Sequence, residues 1–285
     1  MRNKLTKELA VCGLKAAAAL AAEHPAVINR LFIRQDRLPL FTKTCRALAE
    51  RKHPYKICGD EELERLCRSA RHEGVVAMIE EPEARSASGA DLDFWAQEGK
   101  TGVFLHSVGN DYNLGAIVRS AAFFDAYFIV LSEADLEARI STGAYRSAEG
   151  GMEYVVFRKV RDTAAFLRDA AKSLVVIGVE RRSRQRIDDL EAIVEDKRKK
   201  LGPPSSGKAR PGIMLVLSDH EAGLPPALQS HCSVLVRIPG TGFVECLNVA
   251  HTATLFLHKL SSLKPPKEAS AAQDTAGRVS DAGLA

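Results

Sequence analysis

Apolar and polar positions fall into two blocks of alternating helix-like and strand-like segments. In the first block, residues 7–22 read as an amphipathic helix that stops at His24-Pro25, where the proline ring blocks continuation. Residues 27–33 (V-I-N-R-L-F-I) read as a strand, 40–52 as a helix ended before Pro54, and 55–58 as a short strand. Asp60 is expected to cap a helix reaching residue 70, with acids in its first turn and arginines in its last. Gly74 leads into a strand over 75–79. Strands separated by helices predict a small α/β domain over residues 1–80.

Residues 81–100 change character. They are rich in Glu, Ser, Ala and Asp, and read as a linker with a short helix over 91–97 that carries the lone Trp95. Beyond them, short apolar runs at 102–107, 127–131, 174–179, 213–217 and 234–238 suit parallel strands covered on both faces. Helices are expected between them at 114–124, 163–173, 188–200 and 247–260. The pattern predicts a second α/β domain over 101–262, followed by a polar, alanine-rich tail over 263–285 that reads as flexible. Residues 201–212 form a Pro/Gly/Ser loop.

Composition narrows the class. With 46% apolar and 27% charged residues in a 285-residue chain, a mostly disordered, collagen-like or membrane-bundle protein is excluded. The longest unbroken apolar run, 16–22, is too short to span a bilayer. Lys15 interrupts the N-terminal Ala/Leu-rich stretch, so it is not read as a secretory signal, and a cytoplasmic protein with no membrane partner is expected. The net charge of +4 permits a nucleic-acid partner without requiring one. The 6 cysteines lie scattered without a C-x-x-C pair, which argues against both a metal site and a disulfide framework.

No dinucleotide fingerprint, P-loop, H-E-x-x-H or G-x-S-x-G is present. Three other segments stand out, each at a strand exit, the edge where α/β sheets bind ligands. The first is H-S-V-G-N-D-Y-N-L-G-A-I-V-R, residues 106–119. Ala116, Ile117, Ser120, Ala121 and Phe124 make its buried stripe, Arg119 projects away from that stripe, and Asn113 is expected at the N-cap. A charged fork and a carboxamide near a helix start suit phosphate or hydroxyl recognition; the plainer reading is an ordinary cap and an exposed arginine. The second is Leu217-Ser218-Asp219-His220-Glu221-Ala222-Gly223, whose residues are also those of a simple turn. In the third, Gly240 and Gly242 flank Thr241, and Cys246 and Asn248 are expected to open the last helix. Cys246 is a nucleophile candidate on type alone, with no histidine partner evident.

Taken together, in this order and spacing, the three segments resemble the motifs of the SpoU/TrmH family of RNA ribose methyltransferases, in the SPOUT superfamily. Asn110, Asn113, Gly115, Ala116, Ile117 and Arg119 match its N-x-x-N-x-G-A-I-x-R pattern. Ile238, Pro239, Gly242, Leu247, Asn248 and Val249 match I-P-x-x-G…L-N-V. The first 80 residues are similar to the small substrate-binding domain fused ahead of that catalytic domain. The resemblance implies a trefoil knot near the C-terminus, a homodimer through the C-terminal domain, and transfer of a methyl group from S-adenosylmethionine to a ribose 2′-hydroxyl of tRNA or rRNA. It implies catalytic roles for Arg119, Asn113, Cys246 and Asn248. Cofactor contacts would come from Val179, Leu217, Ser218, His220, Glu221, Gly223, Ile238, Gly240, Gly242, Leu247 and Asn248.

The pattern is departed from at Ser218 and His220, where the family has Gly and Glu, and at Cys246, where it has Ser. These departures favour an alternative, an RNA-binding protein with a degenerate, non-catalytic SPOUT domain. A third option is an α/β enzyme of unrelated chemistry, such as a small-molecule methyltransferase. The family's arginine is usually assigned as general base, yet a guanidinium has a pKa above about 12, so positioning of a phosphate and stabilisation of charge on oxygen fit Arg119 better. RNA contacts are expected from Asn110, Arg119, Arg181, Arg182 and Arg184, and the 197–200 K-R-K-K run adds charge.

Overall fold

The computed structural model describes residues 8–133, 140–203, 210–219 and 223–263. The expected tail from residue 264 onward, and His220 and Glu221, lie outside the described residues.

The N-terminal domain runs β1 (Glu8–Cys12), α1 (Leu14–Glu23), β2 (Ile28–Ile33), α2 (Thr42–Glu50), β3 (Tyr55–Ile57), α3 (Asp60–Cys67) and β4 (Val75–Glu80). Its sheet has the order β1-β4-β2-β3, antiparallel except for β2 with β3. Here the single helix expected over 7–22 is corrected. Residues Glu8–Cys12 pair with β4 along their whole length, and Gly13, at φ 99°, turns the chain before α1 begins. Long-range pairing overrides the helical propensity of the Ala/Leu-rich stretch. Asp60 is the first residue of α3, and Gly59 occupies the cap.

The C-terminal domain runs β5 (Arg85–Ser86), α4 (Gly89–Gln97), β6 (Thr101–His106), α5 (Asp111–Phe123), β7 (Phe128–Ser132), α6 (Thr142–Ala148), β8 (Val156–Val160) and α7 (Thr163–Ala170). It continues through β9 (Val175–Val179), β10 (Gln185–Arg186), α8 (Leu190–Leu201), β11 (Ile213–Ser218), α9 (Pro226–Gln229), β12 (Val234–Arg237) and α10 (Val249–Ser261). All eight strands are parallel, in the order β10-β12-β9-β11-β6-β7-β8-β5. The expected α/β class with a parallel sheet is therefore present. Residues 81–100, expected to be a linker, contain β5 at the sheet edge and α4, whose Leu92, Trp95 and Ala96 are buried. Trp95 stacks on Phe128 with ring centroids 3.7 Å apart.

The strand order decides where a ligand can sit. From β6 the chain builds outward through β7 and β8, then crosses to the other side of the sheet. The reversal leaves β11 hydrogen-bonded to β6, with Ser218 opposite His106 at their carboxyl ends. Such a switch point opens a crevice beyond the strand ends.

The two domains share one core, in which Val11, Ala17 and Leu20 join Leu114, Ala144, Tyr145 and Met152. Polar contacts ring this junction. His24 Nδ1 and Glu153 Oε2 are 2.7 Å apart, Tyr154 Oη donates to Glu23 Oε1 at 3.1 Å, and Lys15 pairs with Glu149 at 2.7 Å. The hydrogen bond to Glu153 raises the His24 pKa above its ordinary value, against the opposing effect of burial. A raised folded-state pKa gives stabilisation that is fully present below the unfolded histidine value, about 6.5, and fades as pH rises through the folded value. Thermal unfolding followed from pH 5.5 to pH 8.5, roughly one unit below to two above that reference value, is expected to show Tm falling across this window. His24→Gln is expected to flatten that slope.

Candidate active site

The first motif leaves β6 at His106 and enters α5. The N-cap is Asn110, whose side chain accepts from Tyr112 N–H at 2.8 Å. Asn113, expected at the cap, is instead the third residue of the helix, so its side chain is released from capping. It makes a different connection. Asn113 Nδ2 donates to Asp219 Oδ2 at 3.0 Å, while its Oδ1 accepts from Asn248 Nδ2 at 3.1 Å. Asn248 is itself the N-cap of α10, accepting from Ala250 N–H at 2.8 Å. One carboxamide thus ties the three motif segments together. The same two helices are joined further along by Ser120 Oγ and Thr254 Oγ1, 2.7 Å apart.

Arg119 lies on another side of α5. It is exposed, and its Nη1 pairs with Glu149 Oε1 at 3.0 Å, not with Asn113, Asp219 or Asn248. Gly115 explains the small residue of the first motif. A Cβ there would stand 2.5 Å from Ala144 O and 2.5 Å from Ser147 Cβ, so only glycine lets α5 meet α6 this closely.

In the second motif, Leu217 is buried and Ser218 ends β11. Gly223, at φ +77°, lies against Glu180, whose carboxylate would be 3.0 Å from an added Cβ. Glu180 is buried just beyond β9 and accepts from Gln229 Nε2 at 3.2 Å and from Arg182 N–H at 3.1 Å. Val179, half-buried, precedes it at the end of β9.

The third motif follows β12. Ile238 is half-buried, and Gly240, Gly242, Cys246, Leu247 and Asn248 are exposed. Cys246 lies in the loop before α10 and does not open the helix. Gly242 has φ +87°, and an added Cβ there would meet nothing within 4 Å, leaving its backbone open to a ligand. The loop is held from one side by an ion pair between Glu245 and Arg181. Arg182 and Arg184 lie close by in the chain, just beyond Glu180. At the switch point His106 Nδ1 is buried without a hydrogen-bond partner among the described residues.

Gln229 and Glu149 are site residues that the sequence does not single out. Asp219 and Glu180 lie in strand-exit segments, 217–223 and 177–180, that the resemblance places at the cofactor crevice, without a role of their own. Glu149 carries no signal, since it reaches Arg119 from another helix, and Gln229, although in the short helix just after the second motif, stands in a stretch with no motif match.

The family model described as the SpoU rRNA Methylase family matches residues 100–258, more than half of the chain. The chain belongs to this family. A second model, RNA 2′-O ribose methyltransferase substrate binding, matches residues 10–85. A protein of Escherichia coli O157:H7 named an uncharacterized tRNA/rRNA methyltransferase, YfiF, is 26% identical over 257 residues, covering 88% of this chain and 67% of that protein. A 23S rRNA (guanosine-2′-O-)-methyltransferase, RlmB, of Nitrosomonas europaea is 25% identical over 255 residues, covering 89% and 91%. The AdoMet-bound rRNA methyltransferase structure from Sinorhizobium meliloti superposes with a TM-score of 0.67 at 19% identity, covering 92% of this chain and 89% of that one. The AviRb SpoU methyltransferase of Streptomyces viridochromogenes with AdoMet gives 0.63 at 20% identity, covering 91% of each chain. These two likenesses are likenesses of fold.

Gly115→Ala tests the helix contact beneath the first motif. It is expected to destabilise the protein by about 1–3 kcal/mol, the cost of overpacking a tight contact. Urea unfolding measures this as a lower midpoint at unchanged slope.

Proposed function

We propose that this SpoU-family chain transfers a methyl group from S-adenosylmethionine to a ribose 2′-hydroxyl of tRNA or rRNA. The observation that carries the reading is the Asp219–Asn113–Asn248 bridge, which gathers all three family motifs at the switch point of the parallel sheet. The near full-length relatives named for 23S rRNA make rRNA the first substrate to test.

The residues present fit the cofactor. The open backbone at Gly242, the exposed loop from Gly240 to Asn248 and the His106 Nδ1, unpartnered among the described residues, together offer hydrogen-bonding groups suited to an adenosine. Val179, Leu217, Ser218, Gly223, Ile238, Gly240, Gly242, Leu247 and Asn248 would hold it, with His220 and Glu221 in the same stretch of sequence. When bound, S-adenosylmethionine supplies an electrophilic methyl on a sulfonium.

The chain's own residues do the rest. Asn113 and Asn248 hold the carboxyl edge in register, and Asp219 is the carboxylate of that bridge, hence its ready proton acceptor. The Arg119 fork binds the nucleotide phosphate and stabilises negative charge growing on the 2′-oxygen. Cys246, exposed in the third-motif loop, stands where the family has serine and offers a weaker donor. Arg181, Arg182 and Arg184, with Asn110, supply phosphate contacts at the rim.

We place the active enzyme in the cytoplasm as a homodimer through the C-terminal domain, with the third-motif loop in a trefoil knot. Support for the dimer is an apolar surface that a monomer would leave wet: Phe123 is 80% exposed on α5, Phe243 93% and Val244 76% in the third-motif loop, and Leu255 42% on α10.

The deciding experiment maps ribose methylation in RNA from cells lacking the protein. One missing methyl group that returns on complementation supports the assignment, whereas an unchanged map overturns it. Calorimetry with S-adenosylmethionine separates the alternative, because a degenerate RNA-binding domain gives no heat. Arg119→Ala is expected to abolish turnover with cofactor binding nearly intact, measured by tritium transfer and by calorimetry. Reversing charge at Arg181 and Arg182 is expected to weaken RNA binding and make its salt dependence shallower, by about one unit for each phosphate no longer neutralised, read by filter retention across a salt series.

A further inference from the structure

Glu149 is a carboxylate with both oxygens engaged, each by a cation from a different domain. Its Oε1 receives Arg119 Nη1 at 3.0 Å, and its Oε2 receives Lys15 Nζ at 2.7 Å. Lys15 belongs to α1 of the N-terminal domain, whereas Arg119 belongs to α5 of the first motif. Glu149 sits at the C-cap of α6 in the left-handed conformation, φ 46°, unfavourable for a residue with a Cβ. Its surroundings confine it. The next residue, Gly150, lies so close to α1 that a Cβ there would stand 2.8 Å from Ala19 Cβ and 3.1 Å from Lys15 O. Gly151 lies against Arg119, where a Cβ would come within 3.1 Å of Arg119 Cα. The turn that carries Glu149 is therefore wedged between the two helices whose cations it joins.

Arg119 uses Nη1 on this contact, and 54% of its side chain is exposed. A guanidinium has five N–H donors in a rigid fork, so one ordered contact orients the donors that remain for a phosphate or an oxyanion. The wedged turn fixes the backbone of Glu149, and its ion pair with Lys15 favours one placement of the carboxylate as Arg119 moves.

Resting on the methyl-transfer reading above, we propose that Glu149 is a positioning residue: it aims the Arg119 guanidinium, and Lys15 sets its place, so that docking of the N-terminal domain is felt at the reacting centre. The relay acts through orientation and touches no substrate. It predicts a fall in kcat more than in RNA affinity, because loss of a negative charge beside Arg119 does not weaken phosphate binding.

The test uses the full chain, tritiated S-adenosylmethionine and total RNA from cells lacking the protein. Glu149→Gln is expected to lower kcat about tenfold with KM for RNA unchanged or lower, the pattern of a contact that matters in the transition state. A second readout needs no substrate: the ¹⁵Nε order parameter of Arg119, assigned by its disappearance in Arg119→Lys, is expected to drop in Glu149→Gln. The paired exchange Lys15→Glu with Glu149→Lys restores an interdomain ion pair but sets an ammonium beside Arg119. It is expected to recover Tm and leave kcat low. Recovery of kcat in that exchange, an unchanged kcat in Glu149→Gln, or an Arg119 Nε equally ordered in both proteins overturns the proposal. If the unaltered protein transfers no tritium, the methyl-transfer reading is what fails, and the Nε order parameter alone then decides the role of Glu149.

Discussion

The site depends on a single carboxamide. Asn113 bridges to Asp219, 106 positions away, through its NH2, and to Asn248, 135 positions away, through its carbonyl. Only an amide side chain offers a donor pair and an acceptor at one end, so neither aspartate nor leucine at this position could make both contacts. Side-chain hydrogen bonds each contribute little net stability, about 1 kcal/mol, so the bridge matters less as glue than as register. It holds the first turn of α5, the exit of β11 and the cap of α10 in one fixed relation.

The sheet makes that bridge possible. Placing β11 directly against β6 puts Ser218 opposite His106, and Asp219 N–H then donates to His106 O at 3.3 Å. The backbone ladder thus delivers the second motif to the first before any side chain acts. Asn248 arrives differently, at the cap of α10, and its position is set by how α10 packs on α5 through Ala253, Phe256 and Leu257 on one side and Ala121 on the other, all in one core. Burial fixes the helices, and polar groups at their ends inherit the geometry.

How far the sequence reveals this depends on the range of each interaction. The parallel strands are readable because they are apolar on both faces, and the motif segments because their residue order is specific. Residues 8–12 read wrongly as helix because E-L-A-V-C beside an alanine-rich run has no local mark of a strand; only β4 reveals it. Leu92, Trp95 and Ala96 do carry a signal, a helical i, i+3, i+4 spacing, hidden by the acidic composition around them. The helix start at Asp111 rather than residue 114 follows from Asn110 taking the cap, a choice between two asparagines that composition alone does not decide.

The exposure of the third-motif loop completes the physical picture. A segment carrying Phe243, Val244 and Leu247 in water is costly for a lone chain. Yet the loop is tethered at both ends, by β12 before it and by the Asn248 cap after it, with the Arg181–Glu245 pair between. Tethered apolar surface of this kind loses little conformational entropy when covered, which is the condition for binding with useful affinity. The polar bridge beneath it is already satisfied, and the apolar loop above it is not. The asparagine bridge therefore supplies the geometry of the site whether or not that loop is covered.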